Sequence, residues 1–220
     1  MKPILYHGTS NPNLIALEAR SRTEDMDNSA LVFATSSKQC AFLYTLQETG
    51  NPQRPRAILH DGDVHPSILV TPSQPHYFGD SIDGRVFVVP NDSFTPSGKS
   101  SDEWISKETV PLNTAMAITV SNTNQALQEG VQLFLVTGGL EAWPPVFEDI
   151  KQLQGRDQWL AYLKKGVEDG TITHKNKERG LSPINLANGQ METQVSIVSS
   201  ETMILPTPIV NATPKTLHNL

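Results

Sequence analysis

Apolar and polar positions alternate in short runs up to about residue 137, and the period lengthens after that. Residues 3–9 (Pro-Ile-Leu-Tyr-His-Gly-Thr) predict a strand that ends at Gly8. Leu14 to Glu18 is a short helix or an extended piece, and the polar residues 20–30 predict an exposed loop. Leu31 to Thr35 is a second short strand. Ser36 is placed to cap a helix over 37–48, where Cys40, Ala41, Leu43, Tyr44 and Gln47 fall near one face. Gly50-Asn51-Pro52 stops it. Strand pieces follow at 57–60 and 67–71 around an Asp61-Gly62-Asp63 turn, then the clearest strand at 84–90. A further strand begins at Asp102, residues 114–120 are extended, a short helix covers 124–129, and 131–136 is a buried strand. Many strands with few, short helices predict the α+β class with a mixed or antiparallel sheet.

Beyond Gly138-Gly139 the apolar residues adopt helical spacing: Val146, Phe147, Ile150 and Leu153, then Trp159, Leu160, Leu163 and Val167. This predicts a helical hairpin over 145–154 and 156–168, with Trp143 and Trp159 as packing residues. From about 171 the chain is polar, with a basic cluster at Lys175, Lys177 and Arg179. Pro206, Pro208 and Pro214 break regular elements near the end, and 194–198 alternates as one edge strand would. The expected organisation is a domain over 1–138, a helical extension over 139–170 and a polar, loosely ordered tail over 171–220.

Composition narrows the function classes. The 220 residues are 37% hydrophobic and 18% charged, with a net charge of −6. An acidic chain with no basic face is a poor match for nucleic acid, which demands many phosphate contacts. Cys40 is the only cysteine, so neither an internal disulfide nor a Cys-rich zinc site is available. His60, Asp61, Asp63 and His65 lack metal-ligand spacing, so no metal is expected. No run of about 20 apolar residues predicts a membrane span, and no apolar run follows a basic start as in a secretory signal. The expectation is a protein that is cytoplasmic as synthesised, with export as an effector needing another route.

Three stretches carry chemistry: Tyr6-His7-Gly8-Thr9; Phe33-Ala34-Thr35 with Tyr44 eleven positions after Phe33; and Ser100-Ser101-Asp102-Glu103-Trp104-Ile105. Their order and internal spacing resemble the diphtheria-toxin-like ADP-ribosyltransferases, the H-Y-E class, shared more loosely by the poly(ADP-ribose) polymerases. The resemblance covers roughly residues 3–137. It implies a split-sheet ADP-ribosyltransferase-like core, NAD as substrate and Glu103 as the catalytic carboxylate that opens a late strand. Phe33 stands where most of the class has Tyr. Ser101 stands where toxins that modify arginine or asparagine carry an acidic or amide residue.

The same residue types make physical sense for that reaction. Cleaving NAD at the nicotinamide ribose builds positive charge on the sugar, which a carboxylate such as Glu103 stabilises. Glu108 is a rival in the same segment. The leaving group is a flat cationic ring, and Phe33 and Tyr44 are the aromatic pair to clamp it. His7 can bond a ribose hydroxyl, and Gly8 lets the carboxamide approach the backbone. Thr9 and Thr35 are secondary polar contacts, and Arg20 and Arg22 are candidates for the pyrophosphate. The expected activity is mono-ADP-ribosyl transfer, because nothing resembles an acceptor-site loop for chain elongation. A protein acceptor is expected, and by analogy an effector- or toxin-like role. Two alternatives stay open: an inactive NAD- or partner-binding module of the same fold, and an RNA 2′-phosphotransferase-like enzyme.

Overall fold

The computed structural model describes residues 2–21, 30–46, 56–61, 64–71, 82–137, 156–187 and 190–192. In chain order the first elements are β1 (Leu5–Thr9), β2 (Ala16–Leu17), β3 (Arg20–Ser21), β4 (Ala30–Thr35) and α1 (Lys38–Thr45). Next come β5 (Arg56–Asp61), β6 (Val64–Val70), β7 (Gly84–Val89), β8 (Thr95–Pro96), β9 (Glu103–Ser106) and β10 (Val110–Pro111). The remainder are β11 (Met116–Val120), α2 (Thr123–Gln128), β12 (Gln132–Val136), α3 (Arg156–Glu168), β13 (Ile172–His174) and α4 (Lys175–Glu178). The class is α+β, as the strand-rich pattern predicts.

Two larger sheets organise these strands. The first runs β11-β7-β1-β4-β9-β8, with β3 pairing beside β4, and every pairing in it is antiparallel. The second runs β13-β12-β6-β5 and is mixed, because β12 lies parallel to β6. A short β2–β10 pair lies apart from both.

Side-chain alternation assigns the cores. Ile68 and Val70 face one way on β6 and Leu69 the other, as a period of two requires. The central cluster joins Ile68, Val70 and Leu133 of the second sheet to Val86 and Val120 of the first, through Ala41, Phe42 and Leu43 of α1. The outer face of the first sheet packs Leu5, Val32, Phe87, Val89 and the fully buried Phe94. The outer face of the second packs Leu69, Phe134 and Val136 against Trp159, Leu160 and Leu163 of α3.

Helix α1 therefore sits between two sheets. Cys40, Ala41, Phe42, Leu43 and Thr45 are all buried, so it is apolar nearly all round and not along one stripe. Its cap is Ser37, whose side chain accepts from Cys40 N, and not Ser36. The reason is local: Ser36 N donates to Asp102 O at 2.9 Å, which prolongs the β4–β9 ladder by one step and delays the helix.

Three expectations need correction. Arg20 and Ser21 are not loop but strand, paired with Leu31 and Ala30. The strand expected from Asp102 begins at Glu103. The stretch after 171, expected as a loosely ordered tail, contributes β13 and α4 and a bridge between Ile184 and Met191. Two of its polar residues, His174 and Asn176, are buried and find protein partners. Asn176, fully buried, accepts from Leu133 N at 2.9 Å and donates to Val131 O at 2.8 Å. Gln132 Nε2 donates to Gly130 O and Ser182 O, so its Oε1 is the acceptor, taking Ile184 N at 3.2 Å and His174 Nε2 at 2.8 Å. His174 must then carry its proton on Nε2. Burial, helped by the Lys177 charge, pushes His174 down to about 4. The first helix of the expected hairpin, Trp143, Arg22 and the 194–198 strand lie outside the described residues, while α3 matches the second helix.

Candidate functional site

The site begins where the first sheet stops pairing. Strands β1 and β4 share a single register pair, Tyr6 with Thr35. Past it the two strands are linked by a side chain: His7 Nδ1 lies 2.9 Å from Phe33 O. A carbonyl only accepts, so Nδ1 carries the hydrogen. Burial pulls the His7 pKa below the usual imidazole value, against the bond to Phe33 and aided by the Arg20 charge. The ring is then neutral at neutral pH, and Nε2 is left as a hydrogen-bond acceptor.

A cavity of about 330 Å³ opens in this split. That is within the range of small-molecule sites. The structure brings His7, Gly8, Thr9, Arg20, Phe33, Thr35, Tyr44 and Glu103 together on its wall. They are eight of the nine candidates, drawn from β1, β3, β4, α1 and β9; the ninth, Arg22, lies outside the described residues. Glu103 reaches the site through register: it opposes Thr35 across β4 and β9, so the two side chains leave the same face of the sheet. Tyr44 arrives from α1 and Phe33 from β4. The rival Glu108 is exposed and does not line the cavity. Leu14, Leu17 and Leu31 add an apolar wall near Arg20.

Three candidates play a different part from the one expected. A Cβ on Gly8 would lie 1.7 Å from Ala41 O, so the missing side chain is required by the backbone of α1. Thr35 Oγ1 donates to Asp102 Oδ2 at 3.1 Å and accepts from Ser37 N at 3.0 Å, so its proton is already committed within the protein. Thr9 Oγ1 accepts from Asn11 N at 3.0 Å and shapes the turn after β1.

Sequence reasoning missed Asp102 and Cys40, both of which line the cavity. The Ser100-Ser101-Asp102 spacing was a signal, since a serine two residues before an aspartate builds a local side-chain turn. Burial, reinforced by the charge of Asp102 and then of Glu103, pushes the Cys40 thiol far above its ordinary value. It therefore remains a thiol and not a nucleophilic thiolate. Among the described residues no three His, Cys, Asp or Glu side chains group to hold a metal ion, and no helix is long and apolar enough to cross a membrane.

Comparisons with protein-family models, with curated proteins and with solved structures returned no match to this chain.

Proposed function

We propose that the protein is a mono-ADP-ribosyltransferase that cleaves NAD at the nicotinamide–ribose bond and passes ADP-ribose to a protein acceptor. The observation that carries this reading is the convergence of His7, Phe33, Tyr44 and Glu103 on one cleft from four separate elements. Three stretches chosen for one reaction had no need to meet unless the fold gathers them.

Each group has work in that reaction. Phe33 and Tyr44, both on the cavity wall, are assigned to the nicotinamide ring, whose positive charge favours aromatic walls. The neutral His7 offers Nε2 to a ribose hydroxyl. As the C1′–N bond breaks, its electron pair leaves with nicotinamide and positive charge spreads over the ribose. Glu103 faces that charge, and the acceptor nucleophile then bonds C1′ and loses its proton. A preorganised charge of this kind is worth about 10²–10³ in rate. The charge balance of the wall weighs against 2′-phosphotransfer. Among its described residues Arg20 is the one cation beside Glu18, Asp102 and Glu103, and a dianionic phosphate calls for several cations.

The test is nicotinamide release from NAD, with calorimetric NAD titration alongside, for wild type and Glu103→Gln. Glu103→Gln is expected to lower release by at least about 10²-fold while keeping NAD affinity within a few-fold. Saturable NAD binding with no release from wild type supports the inactive module instead, and absence of both discards NAD as the ligand.

A further inference from the structure

Asp102 is only 6% exposed and directly precedes Glu103. Both of its carboxylate oxygens are engaged. Oδ2 accepts from Thr35 Oγ1 at 3.1 Å, and Oδ1 accepts from Ser100 Oγ. Its backbone carbonyl accepts from Ser36 N at 2.9 Å. Thr35 Oγ1 accepts in turn from Ser37 N at 3.0 Å, and Ser37 Oγ accepts from Cys40 N at 3.1 Å, which caps α1. The bonds form a continuous path from the residue that launches β9 to the helix that carries Tyr44.

The choice of a carboxylate has a physical reason. Burying a charge is costly, and a site that only needs packing has no use for it. A carboxylate is acceptor-only, so it forces both Thr35 and Ser100 to donate. That leaves the Thr35 lone pairs to receive Ser37 N, and every hydrogen in the chain has one direction. An asparagine breaks this polarity, because its amide group would present hydrogens to one of the two hydroxyls. The geometry also meets a need. Glu103 is the first residue of β9, where a strand has least support, and the wall that faces it belongs to another element.

We propose that Asp102 is a positioning residue that holds Glu103 and the Tyr44-bearing helix in one fixed frame, so that carboxylate and ring clamp engage the same substrate together. The kinetic part rests on the NAD-cleaving reading; the holding itself does not.

The experiment uses the full chain carrying Asp102→Asn, Thr35→Val or Thr35→Ser, and the Asp102→Asn/Thr35→Val double variant. Nicotinamide release is expected to fall in kcat by about 10–10²-fold in Asp102→Asn, the scale of a misplaced catalytic group, with KM for NAD within about threefold. Thr35→Val follows it, Thr35→Ser restores turnover to within about threefold, and the double variant is no worse than about the poorer single one. Amide hydrogen exchange supplies a readout that needs no substrate. Asp102→Asn and Thr35→Val should each speed exchange at Ser36, Ser37 and Cys40 by at least about tenfold, with Leu133 unchanged as the remote control. If wild type neither binds nor cleaves NAD, the functional reading fails, and the exchange data still decide the role of Asp102. Unchanged exchange at those three amides overturns the proposal, and so does unchanged kcat in an active enzyme. Should Asp102→Asn fail to fold, Thr35→Val carries both measurements.

Discussion

Gly8→Ala separates two reasons for a glycine at the edge of the cleft. If Gly8 is bare so that a ligand can approach the backbone, an added methyl should cost binding and leave folding alone. The structure points to the fold. The new Cβ would stand 1.7 Å from Ala41 O and 2.7 Å from Ala41 C, half to four-fifths of the 3.4 Å at which ordinary contact begins. The obstacle is backbone, which cannot swing aside. Helix α1 cannot retreat either, since Ala41 and Leu43 are 0% exposed and Phe42 and Leu46 are 2–3% exposed between the two sheets. Overpacking a core costs about 1–3 kcal/mol, and a backbone clash with no escape belongs at the upper end, about 3 kcal/mol. For a chain of this size that is about 6–12 °C in Tm. Thermal unfolding followed by circular dichroism checks it, with Gly98→Ala as the control. Gly98 has a φ of 76° but nothing within 4 Å, so only the strain of a left-handed residue remains, about 1 kcal/mol. Displacing α1 also shifts Tyr44, so NAD affinity should fall together with stability. A Gly8→Ala protein that melts within about 2 °C of wild type while losing NAD affinity would falsify the packing argument and restore the ligand-approach one.

Two further expectations follow from the geometry. His174 sits at about 4 in the folded protein against 6.5 as the ordinary value, so the unfolded chain binds the extra proton first. Stability should be complete above about pH 6.5 and fall by about 3 kcal/mol toward pH 4, and urea midpoints at pH 7.5 and 4.5 measure it. His7 and His65 are also lowered and act in the same direction, so His174→Asn should remove only part of the dependence. A midpoint difference unchanged in that variant refutes the assignment. At the ring clamp, Phe33→Leu keeps bulk and loses stacking, worth about 0.5–1.5 kcal/mol, and should weaken NAD binding by about 2–12-fold in a calorimetric titration. Phe33→Tyr should bind within about twofold of wild type, because stacking is retained.

Much of the architecture was readable before any coordinate was known. The strands at 5–9, 84–89 and 132–136 announced themselves by alternation and β-branched content, and α3 by its Trp159, Leu160, Leu163 spacing. What misled was polarity taken as exposure. His174 and Asn176 look like surface residues in sequence, yet both are buried and satisfied by Gln132 or the backbone. A polar side chain reports only that it needs a partner, and whether that partner is water or protein is a tertiary matter.

The candidate site divides along the same line. The sequence alone determined which side chains are chemically apt: an imidazole after a strand, two aromatics at a helix-compatible interval and a carboxylate opening a late strand. Local pattern is sufficient for that, because residue type and spacing are properties of the chain. Only the tertiary structure decided that these groups share a cavity, since the β4–β9 register joins Thr35 to Glu103, 68 positions apart, and the split between β1 and β4 joins His7 to Phe33, 26 apart. It also decided that Gly8 serves the helix, that the Thr35 proton belongs to Asp102, and that Glu103 and not Glu108 lines the cleft. Long-range register and helix docking are set by the summed burial of two sheets around α1, and no single stretch of sequence contains that sum.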